Sequence, residues 1–286
     1  MPPQLIALLT SLFYATALVS SRRALSHSTP ATVTYASALT QNILLWSAVF
    51  LTGGAPKVTL LPVVLFAIVG VSQFGVRMFA YTGVHKIGAA RSSAVQAVSP
   101  LIATTIAIAL LGERPGTVVL FGTLSVVGGI ILLSWKAEKH IPNFRLWHLL
   151  IPLAAACLTG ANHPVRRYAL SLSNEPLFFS ALMGAVSLLS CFAYRAIFPR
   201  DRLVWNRAAM PPLIVTGVAE TLSILLIITA LSVGAVSVVA PIAATYPVWA
   251  LLGTAIFLRG VERITPLTAL GTLSVVLGTV AIILSR

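Results

Sequence analysis

Charge is what this chain has least of. Six of its 286 residues are Asp or Glu, and charged residues of both signs make up 9%. A water-soluble domain carries roughly 25% charged residues, so water is not the solvent for most of this surface. Cysteine is nearly absent: Cys157 and Cys191 both sit in apolar runs, which argues against a disulfide framework or a thiolate metal site. Long polar segments are missing too; the longest are 136–145 and 195–207. No soluble catalytic domain fits into either. There is no Walker sequence, so drive by ATP would need another chain. Metal-ligand spacing and a nucleophile–base grouping are also missing. The sequence therefore predicts no catalytic residue, no metal and no cofactor.

What is present is apolar: 58% hydrophobic residues and a mean hydropathy of +0.97. A helix needs about 20 mainly apolar residues to span a bilayer. Stretches of that kind fall at 3–21, 31–51, 59–83, 89–111, 117–135, 146–165, 176–194, 211–232, 235–258 and 265–284. The first lacks the basic flank and cleavage site of a signal peptide and is read as a retained span. The net charge of +13 comes from basic residues set singly or in pairs between these stretches. No basic patch interleaved with aromatics occurs, which argues against nucleic acid. The lipid bilayer, with its head groups and membrane potential, is the expected partner. Arg outnumbers Lys 15 to 4, and Ala, Gly, Val and Leu abound. That is the bias of a GC-rich bacterial genome and predicts a multi-pass protein of the cytoplasmic (inner) membrane.

The chain repeats itself. Residues 122–127 and 271–276 both read Gly-Thr-Leu-Ser-Val-Val, and nine positions upstream lie Glu113-Arg114 and Glu262-Arg263. Pro100 matches Pro247 after a two-residue length difference, and Arg22-Arg23 matches Arg166-Arg167, each pair placed after its span. Two five-helix copies are expected, 1–140 and 141–286. Five is odd, so the second copy enters the membrane inverted. Inverted repeats are a hallmark of secondary transporters, whose site lies near the midplane between the copies.

Several of these residues also carry a family resemblance. Ala80-Tyr81-Thr82-Gly83, then Ala89 through Pro100, then Leu110-Leu111-Gly112-Glu113-Arg114 and the helix at Gly122 resemble the EamA pattern of the drug/metabolite transporter superfamily. The pattern recurs from Ala230 to Leu284 and covers essentially the whole chain. The sequence departs from it in two places. Tyr14-Ala15 lies where the family has Trp-Gly, and Gly260-Val261-Glu262 stands in place of Leu-Gly-Glu. The resemblance implies a ten-helix exporter of small metabolites, with a cavity among spans one, three, four, six, eight and nine. It is similar to the aromatic amino-acid exporter branch. A multidrug carrier of the same fold is the alternative, and a membrane-embedded lipid-modifying enzyme is the rival of another class. The enzyme would need acids or histidines clustered at one interface, and here they are scattered. A channel is a third possibility, which saturable flux with counterflow would dismiss. The duplication supplies both halves of a cavity in one chain, so a monomer suffices.

Candidate substrate contacts follow from polar residues placed where they are expensive. Glu220 is the one acid deep inside a span, where charge is costly unless it meets a cavity or partner. It is a candidate for a substrate ammonium or a coupling proton, or a carboxyl hydrogen-bonded to a neighbouring helix. Arg77 either snorkels to the interface or joins Glu220. Gln73, one turn earlier on the same face, is the repeat equivalent of Glu220. Pro100 and Pro247, with Pro164 in span six, remove backbone hydrogen bonds and are candidate kinks or gates. Their polar and aromatic neighbours Gln96, Tyr246, Trp249, Asn162 and His163 join the substrate list, as do Tyr14 and Tyr81. Trp46, Trp135, Trp147 and Trp205 are read as interface anchors. Ser125/Gly129 and Ser274/Gly278 have the small-xxx-small spacing of a close helix seam. Glu113 and Glu262, beside arginines, are read as paired or capping.

Orientation can be read from charge. Leaving Arg77 aside, 13 Lys and Arg fall in odd-numbered connections and five in even connections and termini. Positive-inside bias then puts the odd connections in the cytoplasm and both termini outside. The resemblance implies the opposite more often.

Overall fold

A computed structural model describes residues 1–87, 92, 95–134, 145–198, 203–249, 252 and 266–285. Ten α-helices follow one another among these residues: α1 (Pro3–Leu25), α2 (Pro30–Leu51), α3 (Leu60–Ile87), α4 (Ser99–Leu111), α5 (Thr117–Ser134), α6 (Leu150–Leu172), α7 (Pro176–Ile197), α8 (Met210–Val233), α9 (Val236–Ala243) and α10 (Pro266–Leu284). Short 3-10 turns, Leu146–Leu149 and Arg207–Ala209, lead into α6 and α8. Proline opens α1, α2, α7 and α8 from their first turns, where an N–H has no partner to lose. The α2 start is also capped by Thr29, whose hydroxyl accepts from the Thr32 N–H at 3.3 Å. Gly112 ends α4 in the left-handed region, at φ 67°, a conformation that costs glycine little.

The polarity of the fold is inside out. Phe50, Leu60, Leu110, Phe121 and Leu189 are among many large apolar side chains on the outer surface. Thr10, Ser11, Gln41, Gln73, Arg77, Arg166 and Glu220 are buried. Only a lipid solvent makes that arrangement favourable. Four helical segments, Pro3–Leu25, Leu60–Ile87, Pro176–Ile197 and Arg207–Val233, are long and apolar enough to cross a membrane on length and composition alone.

The helices pair according to the repeat. α5 and α10, equivalent helices, pack most intimately, and they run antiparallel. A Cβ on Gly122 would meet the Gly278 carbonyl at 2.9 Å, and one on Gly129 the Gly271 carbonyl at 2.7 Å. Between these points the Ser125 hydroxyl donates to the carbonyl of its own repeat equivalent, Ser274, at 2.8 Å. The small-residue seam expected from spacing is therefore this contact. The remaining cross-repeat pairs obey the same two-fold relation: α1 packs on α8 as α6 packs on α3, and α2 on α8 as α7 on α3. Gly217 faces Thr40 as its equivalent Gly70 faces Val186. The fold is thus two inverted five-helix repeats. The 140/141 boundary, Trp135 and the Glu262-Arg263 pair lie outside the described residues.

Two spans are broken rather than merely bent. Ahead of Pro100 the helix gives way to a turn at Ala97-Val98, and ahead of Pro247 to a turn at Ala244-Thr245. The hydrogen bonds at the two breaks are the same after the repeat offset. Val98 N–H donates to the Val95 carbonyl and Leu101 N–H to Val98; Thr245 N–H donates to Ile242 and Val248 N–H to Thr245. Each is a three-residue step that tightens the chain in front of a residue with no N–H to give. Pro164 behaves differently, since α6 runs on through it.

Candidate functional site

The centre of the fold is held by one guanidinium. Arg77, on α3, is buried, so the snorkelling alternative does not apply. Its Nε donates to Glu220 Oε1 on α8 at 2.7 Å, forming a buried ion pair. Nη1 donates to the Ser187 hydroxyl on α7 at 3.2 Å, and Nη2 to Gln41 Oε1 on α2. The second Glu220 oxygen accepts from the Tyr81 hydroxyl at 2.9 Å. Glu220 therefore meets a partner from the opposite repeat on each oxygen. Removing one member of such a buried pair leaves an uncompensated charge, a loss of about 3–5 kcal/mol.

One turn earlier on α3, a second polar group faces α6. Gln73 Oε1 accepts from Arg166 Nη2 at 2.9 Å, and the same nitrogen lies 3.4 Å from Met183 Sδ. Ser72 donates to Asn162 Oδ1 at 2.6 Å. Hydropathy places Arg166, with Arg167, in a connection. Both lie inside α6, which reaches Leu172 and not 165. The apolar window ended early because α6 turns its polar residues inward, toward α3. Arg167 Nη1 donates to the Leu231 and Ser232 carbonyls at 2.9 Å, closing the C-terminal end of α8. His163 is buried beside Arg166, within its electrostatic reach.

The aromatic candidates gather on α1 and the segment after the α9 break. Tyr14 and Tyr246 meet edge to face, with ring centroids 4.7 Å apart. Trp249 Nε1 donates to the Ser11 hydroxyl at 2.8 Å. Tyr14 is also within electrostatic reach of Glu220 and Arg77. Gln96 stands apart, half-buried, with Nε2 on the Ser92 hydroxyl at 3.1 Å. Trp147 and Trp205 are about half exposed near helix ends, where interface anchors sit. Trp46 packs against Phe50 and Phe178.

Sequence reasoning missed Gln41, Ser187, Ser72 and Arg166. A signal for two of them existed: with Pro30 and Pro176 aligned as helix starts, Gln41 and Ser187 are repeat equivalents. They flank one arginine from α2 and α7, elements outside the span list that the resemblance implied. Glu113 is a cap, but of a helix in the other repeat. Its oxygens accept from the Val236 and Ser237 N–H groups at 2.7 and 2.9 Å, at the start of α9, where the helix dipole favours a carboxylate. A concavity of about 450 Å³ lies in the α5–α10 seam among Ser125, Gly129 and Ser274. It shares no residue with the polar network.

Comparisons with known proteins bear on both halves. The profile of the EamA-like transporter family matches residues 1–135 and again 145–284. A solved structure described as "Crystal structure of protein" is similar with a TM-score of 0.80 at 16% sequence identity. The match covers 99% of this chain and 97% of that one. No curated protein matches the sequence.

Proposed function

This chain belongs to the EamA-like transporter family, and from that premise we propose that it exports small metabolites, amino acids first, by alternating access. The family consists of membrane transporters of small molecules, and the chain is a multi-pass membrane protein. The finer reading rests on one observation above all. Two adjacent buried polar groups, Gln41, Arg77, Tyr81, Ser187 and Glu220 in one and Gln73 with Arg166 in the other, join the two inverted repeats, in a fold whose two broken helices occupy equivalent positions. Intramembrane charges of this kind mark substrate or ion pathways, and interrupted helices in matching places point to the site.

In this reading Tyr14, Tyr246 and Trp249 receive the apolar part of the substrate, which favours aromatic or other neutral amino acids. Gln73, Gln96, Asn162 and His163 supply polar contacts. Arg77, Tyr81 and Glu220 line the site and fix the register of the halves around the substrate. Pro100 and Pro247 shape the gates. The protein works as a monomer in the bacterial cytoplasmic membrane, its repeats dividing at 140/141 and its termini outside.

Counterflow in proteoliposomes with a labelled amino-acid panel tests this directly. The expected result is saturable uptake driven by at least one unlabelled amino acid inside. Flux that never saturates would indicate a channel, and no counterflow with any amino acid would remove that substrate class.

A further inference from the structure

The charges buried among the described residues do not balance. Arg77 and Arg166 are both buried inside helices, and Glu220 is the one buried acid. Two guanidinium charges against one carboxylate leave one positive charge over. Glu220 does not serve Arg166: its oxygens accept from Arg77 and Tyr81, and its ion pair is with Arg77. What Arg166 has instead is neutral: a glutamine oxygen and a thioether. Its Nε has no partner at all, and neither does Asn162 Nδ2 or His163 Nδ1.

Asn162 and His163 precede Arg166 by four and three residues, so the three share one face of α6. A buried donor without an acceptor is strongly unfavourable, and an unpaired buried cation more so. Three orphaned polar atoms on one face, one of them on an arginine that has no counter-charge, describe a place that an anion completes. Guanidinium suits a planar oxyanion best, because its donors match two oxygens at once.

We propose that Arg166, with Asn162, forms the subsite that receives an oxyanion of the transported molecule, a carboxylate or a phosphate. This rests on the reading of the network as a transport site and narrows it. Amino acids qualify through their carboxylate, and their decarboxylated amines and cationic drugs do not. The Arg77–Glu220 pair then belongs to the scaffold of the site, while Arg166 selects the substrate.

The test separates binding from transport. The purified full chain in detergent is heated with sodium acetate, sodium phosphate or methylammonium chloride, each matched in ionic strength to sodium chloride. A bound ligand raises Tm by mass action, by about 3 °C at tenfold excess over its dissociation constant. The expected result is such a shift with acetate or phosphate, none with methylammonium, its loss in Arg166→Gln and a reduced shift in Arg166→Lys. Acetate alone would point to carboxylates, phosphate alone to phosphorylated metabolites. A wild-type chain with no oxyanion shift, or one equal to that of methylammonium, overturns the proposal without any variant being needed. So does a shift that survives undiminished in Arg166→Gln. An Arg166-dependent shift in a chain without amino-acid counterflow would sustain the subsite and remove amino acids as the transported class. Counterflow of an amine as fast as its parent amino acid would do the reverse.

Discussion

At the scale of single residues, Arg77 has more partners than any one substitution can replace. Glu220→Gln removes the charge and leaves Arg77 buried beside a neutral amide. The expected loss is about 3–5 kcal/mol, visible as a lower Tm and reduced abundance, together with loss of counterflow. A double replacement, Arg77→Met with Glu220→Met, removes both charges and should recover much of the stability but none of the transport. A Glu220→Gln chain as stable as wild type would show that the pair contributes little. The sequence makes Glu220 and Arg77 conspicuous because charge inside a span is rare. Gln41 and Ser187 are not conspicuous, since uncharged polar residues are common in apolar helices and nothing in one span says which face is buried. Arg166 was hidden for another reason: a hydropathy window measures composition, and the polar inner face of α6 ends the apolar window before the helix ends.

Among the elements, α4 and the segment after α9 differ from their neighbours by being interrupted. Proline at matching places made an interruption expected, but not its position. The turns form at Ala97-Val98 and Ala244-Thr245, ahead of each proline, because the missing N–H frees the carbonyl four residues back. Glu113 and Arg167 brace the approach to the second break, one capping α9 and the other holding the end of α8. Replacing Pro100 or Pro247 with alanine restores an N–H donor and favours a continuous helix. Such variants should keep near wild-type abundance while the maximal rate of counterflow changes at least about threefold, a barrier difference of roughly 0.7 kcal/mol. Unchanged kinetics in both would reduce the breaks to passive features. Pro164 should be the milder site, because α6 runs through it unbroken.

For the whole molecule, the repeat was the most legible feature, since Gly-Thr-Leu-Ser-Val-Val occurs twice and lies on the two helices that meet at the centre of the two-fold. Its inversion followed from five spans per copy and reappears as the antiparallel contacts of Gly122 with Gly278 and Gly129 with Gly271. The orientation proposed for the membrane rests on charge, against what the family resemblance more often implies. With Arg166 buried, the even side loses one of its five cations, which strengthens the proposal that termini are outside. A phosphatase fused at Arg286 should be active and one in the 195–207 connection inactive; the reverse pattern would invert the proposal. The central claim, a midplane site reached alternately from each side, is tested most directly by thiol accessibility. Cys157 and Cys191, the two cysteines of the chain, are replaced by serine, and Gln73→Cys is labelled with a membrane-impermeant maleimide in vesicles of each orientation. The account predicts labelling from both faces, with transported substrate slowing it from both. Labelling from one face only, whatever the substrate, or from neither, would contradict it.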